Sequence, residues 1–65
     1  MRIVVNGVEE TADPGSTIAT LLRARGLTPD KVAVERNRRL VRQAQYDTPL
    51  AEGDQIEIVT FVGGG

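Results

Sequence analysis

The 65-residue chain has no cysteine, no histidine and no tryptophan, and one tyrosine and one phenylalanine are its only aromatic residues. Without cysteine it has no disulfide framework, no thiolate nucleophile and no cysteine-based metal site. Without histidine it lacks the usual general acid and base and the commonest metal ligand. Neither sign of charge dominates: the formal net charge is -1, so no global field would hold the chain to nucleic acid or to an anionic membrane. No apolar run approaches the roughly 20 residues of a spanning helix. Met1-Arg2-Ile3-Val4-Val5 reads as a strand rather than as the charged and apolar regions of a secretory signal. A cytoplasmic location is therefore expected. So short a chain builds one small core, with no room for a deep catalytic cleft. These absences together point to a protein that is not an enzyme by itself.

What is present has a clear order. Ile3, Val4 and Val5 are β-formers, and Asn6-Gly7 suits the two positive-φ positions of a type I′ hairpin turn. Val8 to Ala12 make a returning strand that Asp13-Pro14-Gly15 interrupts. Ser16 or Thr17 can cap a helix over 17–25, whose Ile18, Leu21 and Leu22 form one apolar stripe. Arg23 and Arg25 complement its C-terminal dipole. Gly26 followed by Leu27 fits a Schellman-type stop. Residues 32–36 and 39–41 read as two short strands around Asn37-Arg38. Residues 42–54 read as a loop pinned by Tyr46 and Leu50, and Ile56 to Phe61 as the last strand.

The first and last strands are the most apolar, which places them at the sheet centre with both edges paired. As neighbours they need a crossover, which the helix can supply with right-handed sense. The expected fold is α+β: a β-grasp, or ubiquitin-like, arrangement with a mixed five-stranded sheet and one main helix on one face. The domain is expected over residues 1–62, with 63–65 as a flexible glycine tail.

That tail carries the chemistry. Three glycines directly after a strand add no packing and cost conformational entropy, so stability does not explain them. A chain without side chains can thread a narrow channel and deliver an α-carboxylate to a distant reactive centre. With a reference pKa of about 3.3–3.7 that carboxylate is ionised and able to attack the α-phosphate of an ATP held by a partner enzyme. Sulfur or an amine can capture the resulting acyl-adenylate. A frayed terminus is the plain alternative.

With this end and this fold together, the sequence resembles the ThiS family of sulfur carriers in thiamine biosynthesis, and more distantly the molybdopterin-synthase small subunit, MoaD. The resemblance is carried by Ile3-Val4-Val5-Asn6-Gly7, Thr17-Ile18 with Leu21-Leu22, Val32-Ala33-Val34, and Leu50 to Val59 (Leu-Ala-Glu-Gly-Asp-Gln-Ile-Glu-Ile-Val) running into the glycines. It implies that Gly65 is adenylated by a ThiF-like (E1-like) enzyme, converted to a thiocarboxylate, and used as sulfur donor to a ThiG-like thiazole synthase. Gly63 and Gly64 would give access. No cofactor would be bound by the chain itself; ATP and the sulfur donor would serve its partners. With no thiol of its own, the chain would receive sulfur from a persulfide on a partner protein, and would act as a co-substrate without catalytic residues. Val41-Arg42-Gln43 and Tyr46 differ from what many relatives carry, which bears on partner fit. A MoaD-like carrier for another acceptor and a non-carrier β-grasp binding module are the alternative readings.

Three further features remain open at this level. Val59 and Phe61 fall on the opposite parity from Ile56 and Ile58, so either a bulge returns them to the core or they form, with Val62, an exposed partner-docking patch. Arg36, Arg38, Arg39 and Arg42 are a solvated hairpin tip, a contact for an acidic partner, or, least in keeping with the charge, a nucleic-acid site. Glu9, Glu10, Glu52, Asp54 and Glu57 read as solubilising charges on edges and turns, without the spacing of a metal site.

Overall fold

The computed structural model describes residues 1–61. Strands β1 (Arg2–Val5), β2 (Val8–Thr11), β3 (Val32–Arg36), β4 (Arg39–Val41) and β5 (Gln55–Thr60) form one sheet in the order β2-β1-β5-β3-β4. Helix α1 (Ile18–Ala24) lies between β2 and β3 in sequence. Short 3-10 turns at Pro29–Lys31 and Gln43–Gln45 occupy stretches expected to be loop. β1 and β5 run parallel and every other pairing is antiparallel. The mixed β-grasp sheet is as the sequence predicts, with the most apolar strands at its centre.

The hydrophobic stripe of α1 explains where the core sits. Ile18, Leu21 and Leu22 are buried against Ile3, Val5, Val32, Val34, Ile56 and Ile58, all of which project from the same face of the sheet. Each such side chain contributes about 1.5–3 kcal/mol by leaving water. Thr17, rather than Ser16, is the N-cap: its hydroxyl accepts from the Thr20 N–H, and the Thr20 hydroxyl accepts in turn from the Thr17 N–H. At the other end the Leu27 N–H bonds the Leu22 carbonyl and the Gly26 N–H bonds that of Arg23. With Gly26 at φ 71°, this is the Schellman pattern.

The long segment before β5 closes the core from the side. Tyr46 and Leu50 are buried, as expected. The Tyr46 carbonyl accepts from Ala19 and the Ser16 carbonyl from Leu50. The first of these satisfies one of the N–H groups that a helix start leaves without an internal partner.

Two asparagines secure the central strand. Both hairpins turn through consecutive positive-φ residues: Asn6 and Gly7 at 51° and 82°, Asn37 and Arg38 at 52° and 70°. At each turn the asparagine carboxamide acts as a substitute peptide group toward β5. Asn6 Oδ1 accepts from the Ile58 N–H at 2.7 Å, and its Nδ2 donates to the Ile58 carbonyl at 3.2 Å. Asn37 Oδ1 accepts from the Gln55 N–H at 2.9 Å. Asn6 thus carries the parallel β1–β5 pairing one step beyond the end of β1. Asn6→Ala removes both bonds and puts a Cβ residue with no local polar compensation at positive φ, so a loss of about 2–3 kcal/mol is expected in denaturant unfolding. Asn6→Gly relieves only the backbone part. A loss below about 0.5 kcal/mol for Asn6→Ala, the range of an ordinary surface change, would contradict the carboxamide's role.

Candidate functional site

The register of β5 against β3 decides the orientation of Val59 and Phe61. Pairing is continuous from Arg36↔Ile56 to Val32↔Thr60, without the extra residue a bulge requires. Strict alternation therefore holds. Ile56 and Ile58 point to the helix, and Val59 points to the open face, where it is 60% exposed. Phe61, just past the strand, keeps its N–H on the Lys31 carbonyl at 2.9 Å and is 56% exposed. The bulge alternative is excluded, and Val59 and Phe61 are exposed.

The rest of the open face follows from the same pairings. Ala33 lies opposite Val59, Glu35 opposite Glu57, and Leu40 opposite Glu35. Half-buried Val4 lies opposite Gln55. An apolar strip at the C-terminal end of β5 thus adjoins a directly opposed pair of carboxylates. Like charges in that position cost up to about 1 kcal/mol, so the fold gains nothing from them.

Asp54 differs from the expectation that it is a solubilising surface charge. It is buried at 5% exposure, because the turn before β5 folds it beneath the β3–β4 hairpin. Its Oδ2 accepts from the Ala51 N–H at 2.8 Å and from Arg36 at 2.7 Å, and its Oδ1 from Asn37 Nδ2 at 3.0 Å. Burial pushes the Asp54 carboxyl up, but the Ala51 N–H, the Asn37 carboxamide and the Arg36 guanidinium together hold it below the ordinary aspartate value. The other acidic candidates remain at the surface or its margin. Glu9 pairs with Arg2, Glu10 with Arg25, and Glu52 accepts from the Arg2 N–H. Among the described residues no three acidic side chains converge to hold a metal ion, and no helix is long and apolar enough to cross a membrane. The arginine cluster divides: Arg36 serves Asp54, while Arg38, Arg39 and Arg42 are exposed. The positions Val62, Gly63, Gly64 and Gly65 lie outside the described residues.

Comparison with known proteins adds to this geometry. The sequence model of the ThiS family matches residues 2–65. The chain belongs to the ThiS family. A sulfur carrier protein ThiS of Bacillus subtilis is 44% identical over 50 residues, covering 75% of this chain and 76% of that protein. The crystal structure of a thiamine biosynthesis protein (ThiS) from Geobacter metallireducens superposes with a TM-score of 0.77 at 30% identity, covering 100% of both chains. A thiazole synthase of Magnetococcus marinus is 47% identical over 66 residues. That match covers 100% of this chain but 20% of the synthase, so the chain spans about a fifth of the length of that relative.

Within this ThiS-family fold, sequence reasoning missed the Asp54–Arg36–Asn37 node. Its one visible signal is an asparagine at the first position of each hairpin turn. The node makes stability depend on acid. A carboxyl held below its unfolded value contributes fully above about pH 4 and loses that contribution as the pH falls through its folded value. Asp54→Asn is expected to cost about 2 kcal/mol at neutral pH and to flatten the acid limb of a plot of stability against pH. An acid limb identical to the parent's would show that Asp54 does not set it.

Proposed function

We propose that this ThiS-family chain is a sulfur carrier for thiamine thiazole biosynthesis that acts through the α-carboxylate of Gly65. The observation that carries the proposal is the junction of fold and tail. β5, paired on both edges, ends at Thr60, and Phe61-Val62-Gly63-Gly64-Gly65 follows at once. The strand thus leads, by way of Phe61 and Val62, to three residues with no side chains to obstruct a channel.

The chemistry balances with partners supplying all catalytic groups. A Gly65 carboxylate oxygen attacks the α-phosphorus of ATP on a ThiF-like enzyme, and pyrophosphate leaves. A protein persulfide then attacks the acyl carbon and AMP departs, giving an acyl disulfide. A partner thiol takes the far sulfur of that disulfide into a new protein disulfide, which releases the thiocarboxylate. The thiocarboxylate sulfur adds to a carbonyl carbon of the substrate held by a thiazole synthase, and the acyl carbon takes an oxygen in exchange, from that carbonyl or from water, so the carboxylate returns. The thiazole synthase of Magnetococcus marinus, with a segment similar to this whole chain in one polypeptide, supports that acceptor over a molybdopterin-type one. The open face at Val59 and Phe61, beside the start of the tail, is the surface on which a partner docks. Burial of those side chains there supplies affinity that the three glycines cannot.

Two measurements test this. Incubated with a ThiF-like enzyme, ATP and a persulfide donor, the chain gains the mass difference between oxygen and sulfur, and deletion of Gly65 abolishes the gain without altering the fold. An unchanged mass for the full chain, with an enzyme active on its own carrier, would refute the carrier role. Phe61→Ala is expected to slow adenylation while changing stability by less than about 0.5 kcal/mol, as at other exposed positions. A large fall in Tm with normal adenylation would return Phe61 to the core.

A further inference from the structure

The two hairpin turns provide an internal comparison. Both take positive φ at two successive residues, the geometry for which asparagine followed by glycine is preferred. The β1–β2 turn has that pair, Asn6-Gly7. In the β3–β4 turn the glycine position is held by Arg38 at φ 70°, where an L-residue is strained and glycine is not. Backbone preference therefore works against arginine at this position, and its side chain makes no compensating ion pair among the described residues.

Its neighbours are similarly placed. Arg39 and Arg42 are exposed and likewise without an ion pair among the described residues, and Leu40 between them is 71% exposed. Arg36 is spent on buried Asp54, so the hairpin presents three cations without an ion pair among the described residues, with Arg39 (opposite Arg36) and Leu40 (opposite Glu35) on opposite faces of the sheet. This tip lies at the opposite end of β5 from Phe61. The Asn37 N–H bonds the Gln55 carbonyl, and from Gln55 to Phe61 the strand advances about 20 Å.

We propose that the β3–β4 hairpin, with Arg38 at its turn and Arg39 and Arg42 exposed beside it, is a second docking element, which an acidic groove on the adenylating enzyme receives about 20 Å along β5 from Phe61. This rests on the carrier reading above. The adenylating enzyme is the partner because it meets the carrier as a separate protein whether or not the carrier segment shares a chain with the synthase. Charged surfaces speed such encounters. So remote a contact touches no reacting atom, so it acts on KM for the carrier and leaves kcat unchanged.

The test is steady-state ATP–pyrophosphate exchange by a ThiF-like enzyme, with the carrier as varied substrate at low and high salt. Arg38→Gly is expected to raise Tm, because the strain is relieved, and yet to raise KM; Arg38→Lys keeps KM near the parent value. Adding Arg39→Glu and Arg42→Glu to Arg38→Gly raises KM about tenfold at low salt, the sum of three exposed ion pairs, and the difference shrinks at high salt. Unchanged KM in both the Arg38→Gly and the triple variant overturns the proposal. So does salt-sensitive retention on RNA or anionic vesicles with unchanged KM, or a Tm for Arg38→Gly below the parent's. No exchange with the unsubstituted chain is a failure of the carrier reading instead, which keeps the two outcomes apart.

Discussion

The structure depends on the double pairing of β5. With one seven-residue α-helix among the described residues, the central strand is where core and sheet meet. β1 holds one edge in parallel and β3 the other in antiparallel sense. Asn6 and Asn37 extend both pairings with their side chains. The parallel pair forces the crossover that carries α1 over one face and leaves the other face open. The antiparallel pairing with β3 fixes the register from which Val59 and Phe61 turn outward. Loosening β5 would therefore disturb the core and the open face together.

The polar groups around β5 share a physical logic. Each bonds backbone or charge that the strands alone leave unsatisfied: Asn6 at Ile58, Asn37 at Gln55, Asp54 at Ala51 and Arg36. A buried polar group stabilises only when it is paired, and Asp54, the buried one of these, has Ala51, Asn37 and Arg36 as partners. The exposed charges follow another pattern. Glu35 faces Glu57, and Arg38 sits at a position better suited to glycine. Both are locally unfavourable, and local rules are broken most often where a surface meets another molecule.

Much of this was legible in the sequence because the signals were local. Ile18, Leu21 and Leu22 announced the buried face of α1, Asn6-Gly7 the first hairpin, and Gly26-Leu27 the helix stop. Apolar content placed β1 and β5 at the centre. The Val59 and Phe61 ambiguity could not be settled locally, because a bulge and a regular strand differ only in register against β3. Asp54 was read as solvated because Glu52-Gly53-Asp54 resembles an ordinary exposed turn. Its partners Arg36 and Asn37 lie far away in sequence, and only the closed sheet brings them together. The candidate tail residues Gly63, Gly64 and Gly65 rest on sequence and family rather than on described structure.

The central claim is that sulfur is carried on the carbonyl carbon of the last glycine. The most direct measurement is fragmentation mass spectrometry of the chain after loading by the adenylating enzyme and a persulfide donor. The account predicts that every fragment containing Gly65 carries the oxygen-to-sulfur mass increase and that fragments ending before it do not. Sulfur found on any internal fragment, or thiazole formed while the Gly65 fragments keep their original mass throughout turnover, would contradict it.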